Sequence, residues 1–592
     1  MSITDRLFKL RSQMAALGVD ACIITSADPH LSEYPADHWK FREWISGFTG
    51  SAGTVVVTNE EAGLWTDSRY FLQAEEELED STIDLHKMGE VDVLDYKEWL
   101  AKVLPSGSVV GVNGKTMTLG ELRLLSKKLK SADIRLDARL FLEEDVWEGR
   151  TSIPEDGIFE LGIEYTGLSR TDKVKAVREE MKKQGATHYI VTTLDEVAWF
   201  LNFRGQDVEF NPVFHAYVVI SESQVSLFID PHKLTSAIGK QLSKEDVKIF
   251  LYDDFYEFIK DMPPLAKVLI DPARCNSIVY NFLPTQSTKI ETTSIITDLK
   301  ARKNPVEIEN FRKALVKDGV AMVNFLHWLD TSIGKETITE YTAAEKLTAY
   351  RAEQENYHGN SFNTISGYAG NGAIVHYAVQ EETAATLQAR GLYLVDSGGQ
   401  YNEGTTDITR TVALGDLTNE EKIDYTLVLK GHIGLDMAVY PEGTRGVHLD
   451  VLARQAMWKH GINYGHGTGH GIGHFLCVHE GPQSIRPQDN GVEIVQGMIS
   501  SNEPGIYKSG KHGIRLENLI LTCEDQETPF GRFLKFETLT LCPFDTRAID
   551  VNQLDEQELN WLNNYHQKVY DQLSPLLKPD VKTWLKARTQ KV

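Results

Sequence analysis

The chain has 592 residues, with 85 acidic side chains against 61 basic ones and a formal net charge of −24. Its 41% hydrophobic and 25% charged residues are those of an ordinary globular protein, and at roughly 100–200 residues per domain the length predicts three or four domains. The negative surplus opposes a general nucleic-acid or anionic-membrane surface, and no run of about 18 apolar residues occurs that would span a bilayer.

Five cysteines (Cys22, Cys275, Cys477, Cys523 and Cys542) form no CxxC pair. An odd, scattered set reads as free thiols in a reducing compartment. Met1 to Arg6 lack the apolar core of a secretory signal. The expectation is a cytoplasmic protein.

A repeat opens the chain. Arg11, Met14 and Gly18, then Cys22-Ile23-Ile24-Thr25 and Asp28, recur 167 positions later as Arg178, Met181 and Gly185, then Tyr189-Ile190-Val191-Thr192 and Asp195. Each copy predicts an amphipathic helix stopped by glycine and followed by a buried strand. Helix–Gly–strand units are common in α/β proteins, but six matched residues without a gap favour a duplication. The reading is two related α/β domains, at 1–160 and 161–300.

Lys300 to Pro305 read as a polar linker. Asn304 then Pro305 supply an N-cap and a first-turn proline, and Ile308, Phe311, Leu315, Met322, Phe325 and Leu329 continue at helical spacing. From about 360 the texture changes to short strands, glycine turns and clustered His, Asp and Glu. Helical character returns around Glu558, Trp561, Leu562 and Tyr565. This third region, 301–592, carries the candidate chemistry.

Leu392 to Asp396 form an apolar strand ending on an aspartate, and Thr405 to Thr411 begin a second strand after a turn holding Asn402 and Gly404. A β-hairpin there would bring Asp396 and Asp407 together. Neighbouring carboxylates repel unless a proton or cation lies between them; a pair of turn-capping aspartates is the alternative. In Gly465-His466-Gly467-Thr468-Gly469-His470-Gly471 the alternate glycines exclude the helix that an HExxH zinc site requires. No phosphate-loop pattern is matched. Glu503 follows an apolar run, and Glu517 alternates with apolar residues as on a strand, two positions from Arg515 and so on its face.

Taken singly, Glu503 and Glu517 read more often as solvated strand residues. Together, four carboxylates and one imidazole fit two hard divalent cations bridged by shared carboxylates. Oxygen-rich ligation favours manganese, magnesium, cobalt or ferrous iron over a thiolate zinc site. Such a pair activates water and polarises a carbonyl, which is hydrolytic chemistry.

These motifs resemble the pita-bread metallopeptidases, and most closely the long, three-domain, cytosolic-type Xaa-Pro aminopeptidases (aminopeptidase P). The match runs through Asn371 to Tyr377, Val395 to Gly398, Gly404 to Thr411, His466 to Gly471, Val478 to Pro482, Asn502 to Gly505 and Gly513 to Asn518. It extends upstream to Gly47 to Gly53, Leu64 to Tyr70, Leu194 to Trp199 and Asn211 to Phe214, and downstream to Trp561 to His566.

The resemblance implies two creatinase-like N-terminal domains before a pita-bread catalytic domain, an α/β and α+β architecture. It implies that Asp396 chelates one metal, that Asp407 and Glu517 bridge both, and that His470 and Glu503 hold the second. Glu503 is then the general base towards a bridging water, His376, His466 and His479 stand on the substrate side, and Arg515 orients the ligand carboxylates. His474 and Cys477 match no catalytic role and read as packing residues. The implied activity is release of the first residue from peptides with proline second, with two divalent ions, Mn2+ first among them, in a homodimer. A prolidase with the same ligands, and a non-catalytic pita-bread binding module, are the alternatives.

Overall fold

The computed structural model describes residues 1–592. They divide into two compact units, Met1–Leu161 with Leu168–Asp298, and Gly162–Gly167 with Leu299–Val592.

The first unit contains the repeat. Helix α1 (Ile3–Leu17) starts at Ser2, which exchanges capping bonds with Asp5, and stops at Gly18 in the left-handed region at φ +65°. It buries Leu7, Leu10 and Met14 against the sheet that begins with β1 (Ala21–Thr25). Helix α2 (Arg170–Lys183) repeats the device, with Ser169 and Asp172 at its start and Gly185 at φ +70° just past its end. The strands β2 (Thr54–Thr58), β3 (Ala62–Thr66), β4 (Asp84–Lys87), β5 (Val109–Val112) and β6 (Arg135–Asp137) complete the first sheet. The second comprises β7 (His188–Val191), β8 (Ala216–Ser221), β9 (Val225–Ile229), β10 (Val247–Phe250), β11 (Lys267–Ile270) and β12 (Thr288–Glu291).

Their strand orders, β4-β3-β2-β1-β5-β6 and β10-β9-β8-β7-β11-β12, are the same permutation. In each sheet the first three strands in sequence pair antiparallel and the other neighbours parallel. Shared order and shared strand sense make this a repeat of whole domains.

In the second unit α3 (Pro305–Ser332) begins where the sequence places it. Asn304 accepts from Val306 and Glu307, and Glu307 returns the bond. Its apolar stripe of Phe311, Leu315, Met322, Phe325 and Leu329 is buried. The preceding stretch is not the solvated linker its composition suggests. Lys300 and Lys303 are buried, their ammonium groups 2.7 and 2.8 Å from the Glu480 carboxylate. The compensating charge comes from a strand 177 positions later, so local composition carries no trace of it.

Helix α4 (Glu340–Ala352) follows, then a three-stranded antiparallel sheet of β13 (Ile365–Tyr368), β14 (Leu392–Ser397) and β15 (Ile408–Ala413), with β14 central. A six-stranded sheet is built from β16 (Val439–Pro441), β17 (Gly469–Gly471), β18 (Glu480–Ile485), β19 (Ile499–Asn502), β22 (Asn518–Thr528) and β23 (Gly531–Thr538), in the order β16-β23-β22-β19-β17-β18. Between β19 and β22 the ribbon β20 (Gly505–Lys508) and β21 (His512–Arg515) pairs with itself. Helix α5 (Glu556–Leu573) packs Leu562, Tyr565, Val569 and Leu573 into the core of this unit. No helix is long and apolar enough to cross a membrane.

Candidate metal centre

Four of the five candidate ligands stand at or beside a strand end, and the fifth, His470, lies inside a short strand. Asp396 is the penultimate residue of β14 and lies opposite Thr409 of β15. The two strands pair as the sequence predicts, but the hairpin is not simple. Residues Gly399–Tyr401 and Gly404–Thr405 leave this sheet for a small separate one that also contains Tyr357–Asn360, and Asp407 occupies the break just before β15. The chain crosses itself there so closely that a Cβ on Gly398 would lie 1.9 Å from the Thr406 carbonyl oxygen.

His470 is the middle residue of β17, in extended backbone, and Glu503 immediately follows β19. The single strand predicted through Arg515 and Glu517 is interrupted. Arg515 ends β21, Leu516 and Glu517 form a two-residue break, and β22 starts at Asn518. The break is required because β21 pairs only with β20 while β22 joins the large sheet.

The side chains converge. One donor atom each of Asp407, His470 and Glu517 lies within 4.8 Å of the others. Glu503 joins through His470, whose Nε2 is 3.4 Å from Glu503 Oε1 and 3.5 Å from Asp407 Oδ2. Asp396 is held from the side by Arg515, whose Nη2 donates to Asp396 Oδ2 at 2.6 Å. Ser501 Oγ donates to Glu503 Oε1 at 3.2 Å, and Thr409 Oγ1 to Glu517 Oε2 at 2.8 Å.

These carboxyls are poor anions on their own. Burial pushes Asp407, Glu503 and Glu517 above the usual carboxylate range. The Asp396 carboxylate raises all three further, Glu503 does the same to Asp407 and Glu517, and Arg515 and His479 pull Asp407 and Glu503 back down. In addition, Asp396 Oδ1 is buried without a hydrogen-bond partner. Clustered, buried, mutually repelling oxygens with an orphaned acceptor and one imidazole fit hard divalent cations.

The remaining candidates surround this cluster. The His479 ring lies edge-on to His470, centroids 4.4 Å apart at 82°. The half-buried His466 meets the Tyr507 hydroxyl through Nε2 at 2.7 Å. His376 follows the turn Ala369–Ala373, and the carbonyl of its neighbour Val375 accepts from Arg515 Nη2 at 3.3 Å. His474 is buried edge-on to Phe311 and Cys477 is half-buried.

Sequence reasoning passed over Tyr507. Its hydroxyl also accepts from Arg515 Nη1 at 2.8 Å, so one phenol joins His466 to the guanidinium on Asp396. An aromatic residue in a short strand reads as core, and no local signal marks its hydroxyl.

Fold and donor set together define a metallopeptidase with duplicated N-terminal domains. Residues 6–138 and 149–307 match creatinase/prolidase N-terminal domains, 309–524 match metallopeptidase family M24, and 532–592 match the C-terminal region of that peptidase. A probable Xaa-Pro aminopeptidase P of Laccaria bicolor is 42% identical over 99% of this chain and 93% of its own length. Xaa-Pro aminopeptidase 1 of Dictyostelium discoideum is 39% identical over 98% of this chain and 94% of its own. The crystal structure of the X-prolyl aminopeptidase of Caenorhabditis elegans, described as a cytosolic enzyme with a di-nuclear active site, superposes with a TM-score of 0.96 at 35% identity, covering 100% of both chains. The chain belongs to the Xaa-Pro aminopeptidase family.

Proposed function

We propose that this protein is a metal-dependent aminopeptidase that hydrolyses the bond between the first residue of a peptide and a proline in second position. The observation that carries the reading is the convergence of Asp407, His470 and Glu517, with Glu503 and Asp396 beside them, in a buried, oxygen-rich cluster. We assign Asp396, Asp407, His470, Glu503 and Glu517 as ligands of two divalent cations, with Mn2+ the expected metal because hard oxygen donors suit it. Bound there, the cations supply Lewis acidity for the scissile carbonyl and acidity for a water molecule.

The chain's own residues supply the rest. Glu503, poised by Ser501 and raised by burial, is the proton acceptor at its carboxylate oxygen. Arg515 fixes the rotamer of Asp396, and Tyr507 fixes Arg515. His479, against His470, steadies the oxyanion as the carbonyl becomes tetrahedral. His376 and His466 complete the substrate side.

Proline explains the need for such a site. The Xaa-Pro bond is a tertiary amide with no N–H to grip and a fixed φ. A strong electrophile and a proton donor to the departing ring nitrogen must therefore replace strand-like recognition.

The test is direct. Incubated with Mn2+ and an Arg-Pro-Pro-type peptide, the protein is expected to release free arginine, and to prefer that tripeptide to the Arg-Pro dipeptide. No release with any divalent metal would overturn the reading, and cleavage of the dipeptide alone would make the protein a prolidase. A cytoplasmic homodimer completes the proposal. The five free cysteines suit a reducing compartment, and the two-fold state rests on the family resemblance and is checked by light scattering.

A further inference from the structure

Glu340 opens helix α4 and is fully buried, yet it lies outside the donor set. Its carboxylate accepts from groups on both sides of one segment. Tyr368 N donates at 2.6 Å, Asn371 Nδ2 at 3.0 and 3.1 Å, Tyr377 Oη at 3.0 Å and Ala385 N at 2.8 Å. A buried carboxylate is tolerated only where donors saturate it, and its place in the first turn of a helix adds a favourable dipole.

His376 lies between Asn371 and Tyr377, the two residues whose side chains Glu340 holds. The segment is also gripped by β21. A Cβ on Gly513 would lie 1.6 Å from the Gly372 carbonyl oxygen, so β21 runs in backbone contact with the turn. Arg515, two residues on, donates to Val375 O at 3.3 Å. Ala369 is held at φ +51°, a left-handed conformation that a residue with a Cβ adopts only when its surroundings impose it. Thus 369–377 is clamped between the strand that carries Arg515 and one buried carboxylate.

We infer that Glu340 is a positioning residue for His376, fixing where that imidazole stands on the substrate side of the metal centre. The role of His376 rests on the aminopeptidase reading; the clamp rests on geometry alone.

Glu340→Gln keeps the side-chain size but turns an amide NH2 towards groups that are themselves donors. We expect kcat/KM to fall about 10- to 100-fold, the scale of a small misplacement of a catalytic group, with metal stoichiometry retained. In a His376→Ala background the same substitution is expected to cost less than about threefold more, because the group it positions is gone. An equal loss in both backgrounds would overturn the inference.

A second readout needs no turnover. The His376 Cε1–H resonance, assigned by its loss in His376→Ala, is expected to shift in Glu340→Gln while the other histidine signals stay in place. An unmoved His376 signal refutes the inference whatever the kinetics. A shifted signal in a protein that cleaves no Xaa-Pro peptide upholds the clamp and removes the aminopeptidase reading instead. If Glu340→Gln does not fold, Tyr377→Phe removes one donor and is expected to shift the same signal with a smaller kinetic loss.

Discussion

Thr409 Oγ1 donates to Glu517 Oε2 at 2.8 Å, joining the strand that faces Asp396 to a proposed ligand 108 positions later. The same hydroxyl accepts from Arg515 Nε at 3.2 Å. One buried threonine therefore orients a carboxylate that would hold a cation and the arginine that holds Asp396. Removing it takes the hydroxyl from the Glu517 carboxylate and leaves the Arg515 guanidinium only its bonds to Asp396, Tyr507 and Val375.

Thr409→Val keeps the volume and deletes the hydroxyl. Its affinity for Mn2+, measured by calorimetric titration, is expected to fall about 10- to 100-fold, the usual cost of losing a partner of a metal ligand. Thr409→Ser is expected to bind within a few-fold of the wild type. Unaltered affinity in the valine variant would show that Glu517 needs no such support.

Asp407→Ala removes a carboxylate that lies 3.5 Å from His470 Nε2 at the heart of the cluster. Peptide cleavage is expected to disappear, with less than the full complement of metal by elemental analysis. The two N-terminal domains, whose cores hold no residue of this site, are expected to keep their hydrogen-exchange protection. Turnover with full metal content in this variant would remove Asp407 from the centre.

What the sequence discloses about this site is set by how locally each residue is specified. Asp396, Asp407, His470, Glu503 and Glu517 stand out because charge in an apolar or glycine-rich strand needs a local explanation. The helix at Asn304-Pro305 and the glycine stops at Gly18 and Gly185 are likewise local codes. The breaks at Gly398 and at Leu516-Glu517 are tertiary, since they arise where a strand changes partner. Lys300 and Lys303 look solvated because Glu480 is remote in sequence, and Glu340 looks like an ordinary first-turn acid because its donors come from 368 to 385. Tyr507 is silent because its phenol acts through partners on two other elements.

His479→Ala leaves the proposed ligand set intact and removes the imidazole whose ring centroid lies 4.4 Å from that of His470. Turnover is expected to fall roughly 10²–10⁴-fold, the range for a positioned acid–base or oxyanion-stabilising group, with KM changed far less. Steady-state kinetics on an Xaa-Pro-Pro peptide checks this, and a variant at the wild-type rate would take His479 out of the mechanism.

Stability carries a pH signature of its own in the first unit. His30 is fully buried, with Nδ1 2.7 Å from the Thr192 carbonyl and Nε2 2.7 Å from the Tyr252 hydroxyl, so it ties the two N-terminal domains together. Burial, helped by nearby His215, pushes its pKa down to about 4 against the opposing pull of Asp28, the Thr192 carbonyl and Asp207. The folded protein thus binds this proton more weakly than the unfolded chain, whose histidine titrates near 6.5. The stabilisation is complete above that value and is lost as pH falls through about 4. Intrinsic-rate-corrected hydrogen exchange in Ala21–Thr25 and His188–Val191 is expected to quicken between about pH 6.5 and 4.5 in the wild type. His30→Gln, which cannot take up the proton, is expected to show a shallower dependence from a lower starting stability. The same pH slope in both proteins would mean that another group governs acid loosening of these sheets.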